Sequence, residues 1–149
     1  MSAKMIREAL AALGVILSML FVGLELRQNT LAVRATALND LASASRDWLL
    51  AISSNPELTA TMVRWVEGAE LSPTETLAAR SQVLALLRNT ENVFLQVQAG
   101  AVDESALISY GFGGSLPFRS PHFPPFWAQR RDIFHPDFVA AFEAARGLD

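Results

Sequence analysis

The arrangement of hydrophobic and polar positions changes along this chain in a way that predicts helices throughout. An uncharged run of sixteen residues extends from Ala9 to Leu24, between Glu8 and Glu25. From there to Ser53, apolar positions recur at helical spacing and no proline interrupts them. Two proline-initiated helical patterns follow, and the chain then becomes rich in aromatic residues. The pattern predicts an all-α protein, with an N-terminal transmembrane helix that continues into a small helical bundle and an aromatic-rich C-terminal tail.

The uncharged run predicts a single membrane span. Nine of its sixteen residues are Leu, Ile, Val or Phe, and each of these favours insertion by about 0.3–0.6 kcal/mol at mid-membrane. Sixteen helical residues cover about 24 Å, less than the roughly 30 Å of a hydrocarbon core, so Met5, Ile6 and Leu26 are expected to extend the span. The residues predicted to lie in the membrane are Ala9, Leu10, Leu13, Ile16, Leu17, Leu20, Phe21 and Leu24.

A cleaved signal peptide and a buried helix of a soluble protein are the alternatives to this anchor. Lys4 and Arg7 would supply the basic start of a signal peptide, but no small-x-small cleavage site directly follows the run. A buried core helix has similar apolar runs. We expect an anchor over residues 1–27 and a helical domain over residues 28–149, whose first part, 28–54, continues the anchor helix. Basic residues are nearly balanced on the two sides of the run, which leaves the membrane orientation open.

A seven-residue apolar repeat follows the run and predicts a packing stripe on the first helix. Its members are Leu24, Leu31, Leu38, Ser45 and Ile52. Such a repeat places apolar side chains on one helix face. We expect the stripe to pack within the molecule, and a coiled-coil dimer is the alternative.

Two local signals predict the next helices. Pro56 follows the capping residue Asn55, and the helix that it begins is expected to end before Gly68. Ser72-Pro73-Thr74-Glu75 is a capping box, which predicts a helix over residues 73–99. The remaining pattern predicts a short helix at about 103–110, a surface loop over 111–125, and closing helices over 126–134 and 136–146.

Composition narrows the classes of function. The net charge is −3 and no basic block is present, which argues against nucleic acid as a partner. Cysteine is absent, so the chain has no disulfide and no thiolate ligand. No nucleophile elbow, phosphate-binding loop or HExxH motif is found, so an enzyme is the less favoured class and no cofactor is predicted. His122 and His135, with Asp132 and Asp137, match no metal-binding spacing, so no metal site is predicted.

Glu91 is the polar residue with the most informative position. It lies four residues from both Leu87 and Leu95, which places it on an apolar helix face. A carboxylate in such a place needs a partner. We expect a structural ion pair with Arg34, Arg80 or an arginine of the tail. The alternative is a functional cavity, for which Glu91 and Arg34 are the candidate ligand-binding residues.

Three segments of the sequence carry a resemblance to a known family. They are the sequence FVGLELRQNT at 21–30, the pattern Glu91-Asn92-x-Phe94-x-Gln96 with Ala99-Gly100 and Asp103-Glu104, and the tail pattern Phe126-Trp127-x-x-Arg130-Arg131-x-x-Phe134-x-Pro136-x-Phe138. Together they resemble a widespread bacterial family of uncharacterised small single-span membrane proteins, a domain of unknown function. Val97 departs from the tyrosine expected after Gln96. The resemblance implies a helical fold and a bacterial inner-membrane location, but it implies no activity, cofactor or catalytic residue.

The sequence therefore predicts a membrane-anchored helical interaction or scaffold protein. Its predicted partners are membrane lipid and either a second copy of the chain or another membrane protein. The alternative is a membrane-tethered sensor of a small molecule, with a pocket near Glu91. An apolar pocket at Glu91 would favour the sensor, whereas an exposed apolar seam along Leu31, Leu38 and Ile52 would favour the interaction protein.

Overall fold

A computed structural model describes residues 3–112 and 114–148, except for the side chains of Ile6, Ala9 and Ala11. Every regular element in these residues is helical and no strand occurs among them, so the predicted all-α class is confirmed. The elements are α1 (Ala3–Ser53), α2 (Pro56–Glu67), α3 (Pro73–Gln98), α4 (Ser105–Leu107), a π-helix (Ile108–Phe112), a 3₁₀-helix (Leu116–Arg119), α5 (Phe123–Arg130), a second 3₁₀-helix (Arg131–Ile133) and α6 (Pro136–Arg146).

The chain divides into two compact units, Met1–Thr36 and Ala37–Asp149, which we call the N-terminal and C-terminal units. In the N-terminal unit, α1 is long and apolar enough to cross a membrane, and its apolar window is not buried. If α1 were instead the buried core helix of a soluble protein, this apolar stretch would be buried. The described members of the predicted span are between 51% and 63% exposed: Leu10, Leu13, Ile16, Leu17, Leu20, Phe21 and Leu24. The side chain of Ala9, the remaining member, lies outside the described residues.

The ends of α2 and α3 follow from the capping signals in the sequence. The Asn55 side chain accepts hydrogen bonds from the backbone N–H groups of Glu57 and Leu58, both at 3.1 Å. Gly68 ends α2 in the left-handed conformation, with φ of 71°. At the start of α3, the capping box between Ser72 and Glu75 forms in both directions. The predicted starts of both helices are therefore confirmed.

The packing stripe predicted on α1 is wrong for its three leucines, but Ile52 packs on the core as predicted. Leu38 is exposed in the C-terminal unit, as Leu24 and Leu31 are in the N-terminal unit. Besides Ile52, α1 packs in the C-terminal unit through Ala37, Leu41 and Trp48. Leucines occur on more than one face of α1, so their seven-residue repeat did not distinguish the buried face from an exposed one.

Aromatic residues from the tail form half of the main buried cluster of the C-terminal unit. The rings of Phe134, Phe138 and Phe142 are buried, and they pack on one another and on Trp127. The expectation that this stripe packs on the bundle is confirmed. Helix α3 supplies the surface beneath the tail through buried residues that include Val83, Leu86, Leu87 and Phe94.

The surface loop predicted over residues 111–125 is wrong. Gly111, Phe118 and Ser120 in this segment are buried, and a 3₁₀-helix occupies part of it. Helix α5 begins at Phe123, before the predicted residue 126, and Pro124 and Pro125 lie in its first turn. Prolines are tolerated there because the first N–H groups of a helix have no intrahelical acceptor. Glycine and proline content therefore predicted a loop where the chain forms short helical turns.

Candidate functional site

An open apolar groove lies in the C-terminal unit between α1, α2 and the 3₁₀-helix Leu116–Arg119. Its volume is about 570 Å³. Ligand sites typically have volumes of about 300–1,000 Å³. The apolar lining residues are Trp48, Leu49, Ile52, Met62, Val63, Val66, Leu116 and Pro117. The polar lining residues are Ser53, Thr59, Glu67 and Ser115, of which only Glu67 is charged.

Hydrogen bonds fix the elements that form this groove. The Trp48 indole N–H donates to the carbonyl of Gln82 on α3 at 3.0 Å. The Trp65 indole N–H donates to the carbonyl of Pro117 at 2.9 Å, which holds the 3₁₀-helix against α2. The Thr59 hydroxyl donates to the carbonyl of Ile52 at 2.7 Å, across the connection between α1 and α2. The fold's own hydrogen bonds therefore position the three elements that form the groove.

Three apolar side chains of the groove, one from each element, remain largely in solvent. Leu49 is 59% exposed, Val63 is 50% exposed and Leu116 is 62% exposed. Exposed apolar side chains are unremarkable singly, but several around one groove indicate a binding surface. The sequence analysis did not identify this surface. A signal was available in Val63, an apolar residue that directly follows the buried Met62 and therefore lies about 100° around the helix from it.

Glu91 is buried, as its position in the sequence predicted, and both of its carboxylate oxygens are bonded. Oε2 pairs with the Arg88 guanidinium at 2.7 Å, and Oε1 accepts the backbone N–H of His135 at 2.6 Å. Arg88 also donates to the carbonyl of Ile133 at 3.1 Å and lies over the Phe134 ring, 4.5 Å from its centroid. Glu91 and Arg88 together bind α3 to the start of α6. This geometry favours a structural role for Glu91.

The partner of Glu91 differs from the arginines that the sequence analysis proposed. Arg88 lies three residues before Glu91 on the same helix, a spacing at which helical side chains meet. Arg34 belongs to the N-terminal unit and is exposed. Arg80 lies over the Phe126 ring, with its guanidinium carbon 5.9 Å from the ring centroid. Glu91 and Arg34 belong to different units, so neither unit contains the candidate ligand-binding pair.

The two histidines take separate structural roles. The His122 ring is hydrogen-bonded to the carbonyl of Ala69 at 2.9 Å and packs beside Trp65. His135 caps α6, and its Nδ1 accepts the backbone N–H of Asp137 at 3.3 Å. Within the described ranges, no three His, Cys, Asp or Glu side chains come together as a set of metal ligands.

Glu143 on α6 is the acidic residue that fixes the other side of the tail. Its Oε1 accepts the Trp127 indole N–H at 2.9 Å and the Arg131 guanidinium at 3.0 Å. The hydrogen bond from Trp127, followed by that from Arg131, holds the pKa of the Glu143 carboxyl below its ordinary value. Because these bonds favour the ionised form, the carboxylate stabilises the packing of the tail.

No protein-family model, curated protein or solved structure matches this chain. The resemblance to a bacterial family of small membrane proteins therefore stays a prediction.

Proposed function

We propose that this chain is a membrane-anchored interaction protein whose groove binds an apolar helix of another membrane protein. The observation that carries the proposal is the preformed groove with Leu49, Val63 and Leu116 largely exposed around it. Apolar helices bind such grooves by inserting side chains spaced three or four residues apart. The proposal is the interaction class that the sequence predicts, with the binding surface now assigned to named residues.

The shape and charge of the groove support a helix over a small molecule as its occupant. Small-molecule sites commonly bury roughly 70–90% of the ligand's surface. This groove is open, so a small ligand within it would keep much of its surface in water. Glu67 is the charged residue of its lining, and it complements a basic residue beside the apolar face of the partner helix. The alternative, a sensor with its pocket at Glu91, has less support because Glu91 is bonded within the fold.

Membrane attachment through α1, in a bacterial inner membrane, is part of the proposal. Its support is the length and composition of the helix and the exposure of its apolar side chains. The helix also carries two small residues, Gly14 and Ser18, four positions apart on one face. Small residues at four-residue spacing allow another transmembrane helix to approach closely. This face supports self-association as an accompaniment to partner binding.

The anchor can be tested with two arginine substitutions on the same helix. Leu17→Arg is expected to release the protein from membranes, because an arginine at mid-membrane costs about 2.5–3.5 kcal/mol and the whole run gains only a few kcal/mol. Leu31→Arg, outside the predicted span, is the matched control and should remain bound. The measurement is partition of the full-length chain after alkaline carbonate extraction of bacterial membranes. Recovery of the unsubstituted chain in the soluble fraction, or a mature N-terminus after Leu24, would contradict the anchor.

The groove can be tested with a photo-crosslinking residue at Leu116 in the full-length chain in native membranes. We expect crosslinks to an apolar helical segment of one membrane protein, identified by mass spectrometry, and we expect Val63→Asp to abolish them. Ile108, which is 74% exposed and does not line the groove, is the matched control for both the crosslinker and the aspartate. Crosslinks to lipid alone or to a second copy of the chain would overturn the assignment of the partner.

A further inference from the structure

A second, smaller cleft lies between the first half of α3 and α5, and it is lined by two basic, two hydroxyl and four apolar side chains. Its volume is about 240 Å³. Arg80, Thr76 and Ser81 contribute from α3, and Phe126 and Arg130 contribute from α5. The lining contains no Asp or Glu. The cleft therefore collects two positive charges and two hydroxyl groups in a chain whose net charge is −3.

The two arginines of this cleft differ from others in the C-terminal unit in having no acidic partner. Arg64 pairs with Glu75 at 3.1 Å, and Arg131 pairs with Glu143 at 3.0 Å. Within the part of the chain that the structure describes, neither Arg80 nor Arg130 lies within 4.0 Å of a carboxylate oxygen. The fold has thus placed two uncompensated guanidinium groups on opposite walls of one cavity.

Arg80 is held in position but is incompletely hydrogen-bonded. Its guanidinium lies over the buried Phe126 ring, which restricts where the group can point. Its Nε is buried without a hydrogen-bond partner among the described residues, so the terminal nitrogens of the guanidinium are the atoms left to bind a ligand in the cleft. The hydroxyls of Thr76 and Ser81 offer further donors at the same cleft.

We propose that this cleft binds the phosphate group of a phosphomonoester, with Arg80 and Arg130 as its two cationic contacts. A guanidinium presents its N–H donors in a planar fork that matches two phosphate oxygens. Thr76 and Ser81 donate to the remaining oxygens. The site is separate from the apolar groove, since the two share no lining residue, and the proposal does not depend on the partner proposed for that groove.

Calorimetric titration of the full-length chain in a neutral detergent, with inorganic phosphate as the probe, tests this site. We expect saturable binding at pH 7.5 in a constant chloride background, and at least tenfold weaker binding for Arg130→Gln. Arg130 is exposed, so this variant is expected to fold even if Arg80→Gln does not. Arg80→Lys keeps the charge without the planar fork and should also bind more weakly. Arg46→Gln is the matched control, because Arg46 is an exposed arginine of α1 outside the cleft.

A second arm distinguishes a soluble phosphomonoester from a lipid headgroup. Micelles of the same detergent are supplied with phosphatidic acid or with phosphatidylcholine. If phosphatidic acid abolishes the phosphate titration in the parent and phosphatidylcholine does not, the ligand is a lipid phosphomonoester. If phosphate binds equally in both, the ligand is soluble. No saturable phosphate binding by the parent, or equal binding by the parent, Arg130→Gln and Arg46→Gln, would overturn the proposal.

Discussion

Gly111→Ala is expected to destabilise the C-terminal unit by about 2–6 kcal/mol. Gly111 has φ of 146°, a conformation that a residue with a side chain rarely adopts, and such strain costs about 1–3 kcal/mol. A Cβ at this position would also lie 2.5 Å from Oγ1 and 3.1 Å from Cγ2 of Thr90. Thr90 is fully buried, so the overpacking adds about 1–3 kcal/mol.

Gly100→Ala is the matched control for this prediction. Gly100 also has a positive φ, of 69°, but nothing lies within 4 Å of a Cβ placed there. Its replacement should therefore cost about 1–2 kcal/mol, from the backbone alone. Adding Thr90→Ala should recover part of the loss in Gly111→Ala, because it removes both clashing atoms. The measurement is denaturant unfolding of the full-length chain in a neutral detergent. Equal losses for the two alanine variants would show that Thr90 does not confine Gly111.

Glu91→Ala is the second large effect, with an expected loss of about 2–4 kcal/mol in the free energy of unfolding. The substitution leaves the backbone N–H of His135 without its acceptor, and it removes the carboxylate that pairs with Arg88. Glu91→Gln should lose only about 1 kcal/mol, because its amide oxygen still accepts the His135 N–H. Arg88 would still contact solvent, donate to the carbonyl of Ile133 and lie over the Phe134 ring. It would therefore not become a buried cation without a partner.

Glu104→Ala is the control for the Glu91 variants. Glu104 is exposed and makes no capping hydrogen bond through its side chain, so its loss should change stability by less than about 0.5 kcal/mol. Thermal and denaturant unfolding at neutral pH will rank the three variants. A Glu91→Ala chain as stable as Glu104→Ala would refute the structural role, and Glu91 would again become a candidate ligand-binding residue.

Local chemistry made the helix starts predictable from the sequence. Asn55 and Ser72 bond N–H groups two or three residues ahead, so the information that places α2 and α3 lies within four residues. The partner of Glu91 was equally accessible, because Arg88 is one helical turn away. The prediction favoured arginines distant in the sequence and overlooked this short-range pairing.

The apolar groove was not predictable in the same way. Leu49, Val63 and Leu116 come from three elements and meet only when the C-terminal unit has folded. In residues 111–125, the prolines predicted a loop because they lack backbone N–H donors. The first turn of a helix does not need those donors, so α5 begins there despite its prolines. The buried face of α1 likewise depended on which leucines the later helices cover, and the periodicity of α1 alone does not contain that information.

The aromatic tail has a consequence for how this protein is made. Phe118, Phe123, Phe138 and Phe142 complete the core, yet they leave the ribosome after α1, α2 and α3. During synthesis, the apolar faces of α2 and α3 therefore remain uncovered after the N-terminal segment has become available to the insertion machinery. If α1 is the anchor that we propose, synthesis separates membrane engagement from folding in time. Any chain terminated before Phe118 would carry α1 but present an uncovered apolar surface to the cell's quality-control proteases.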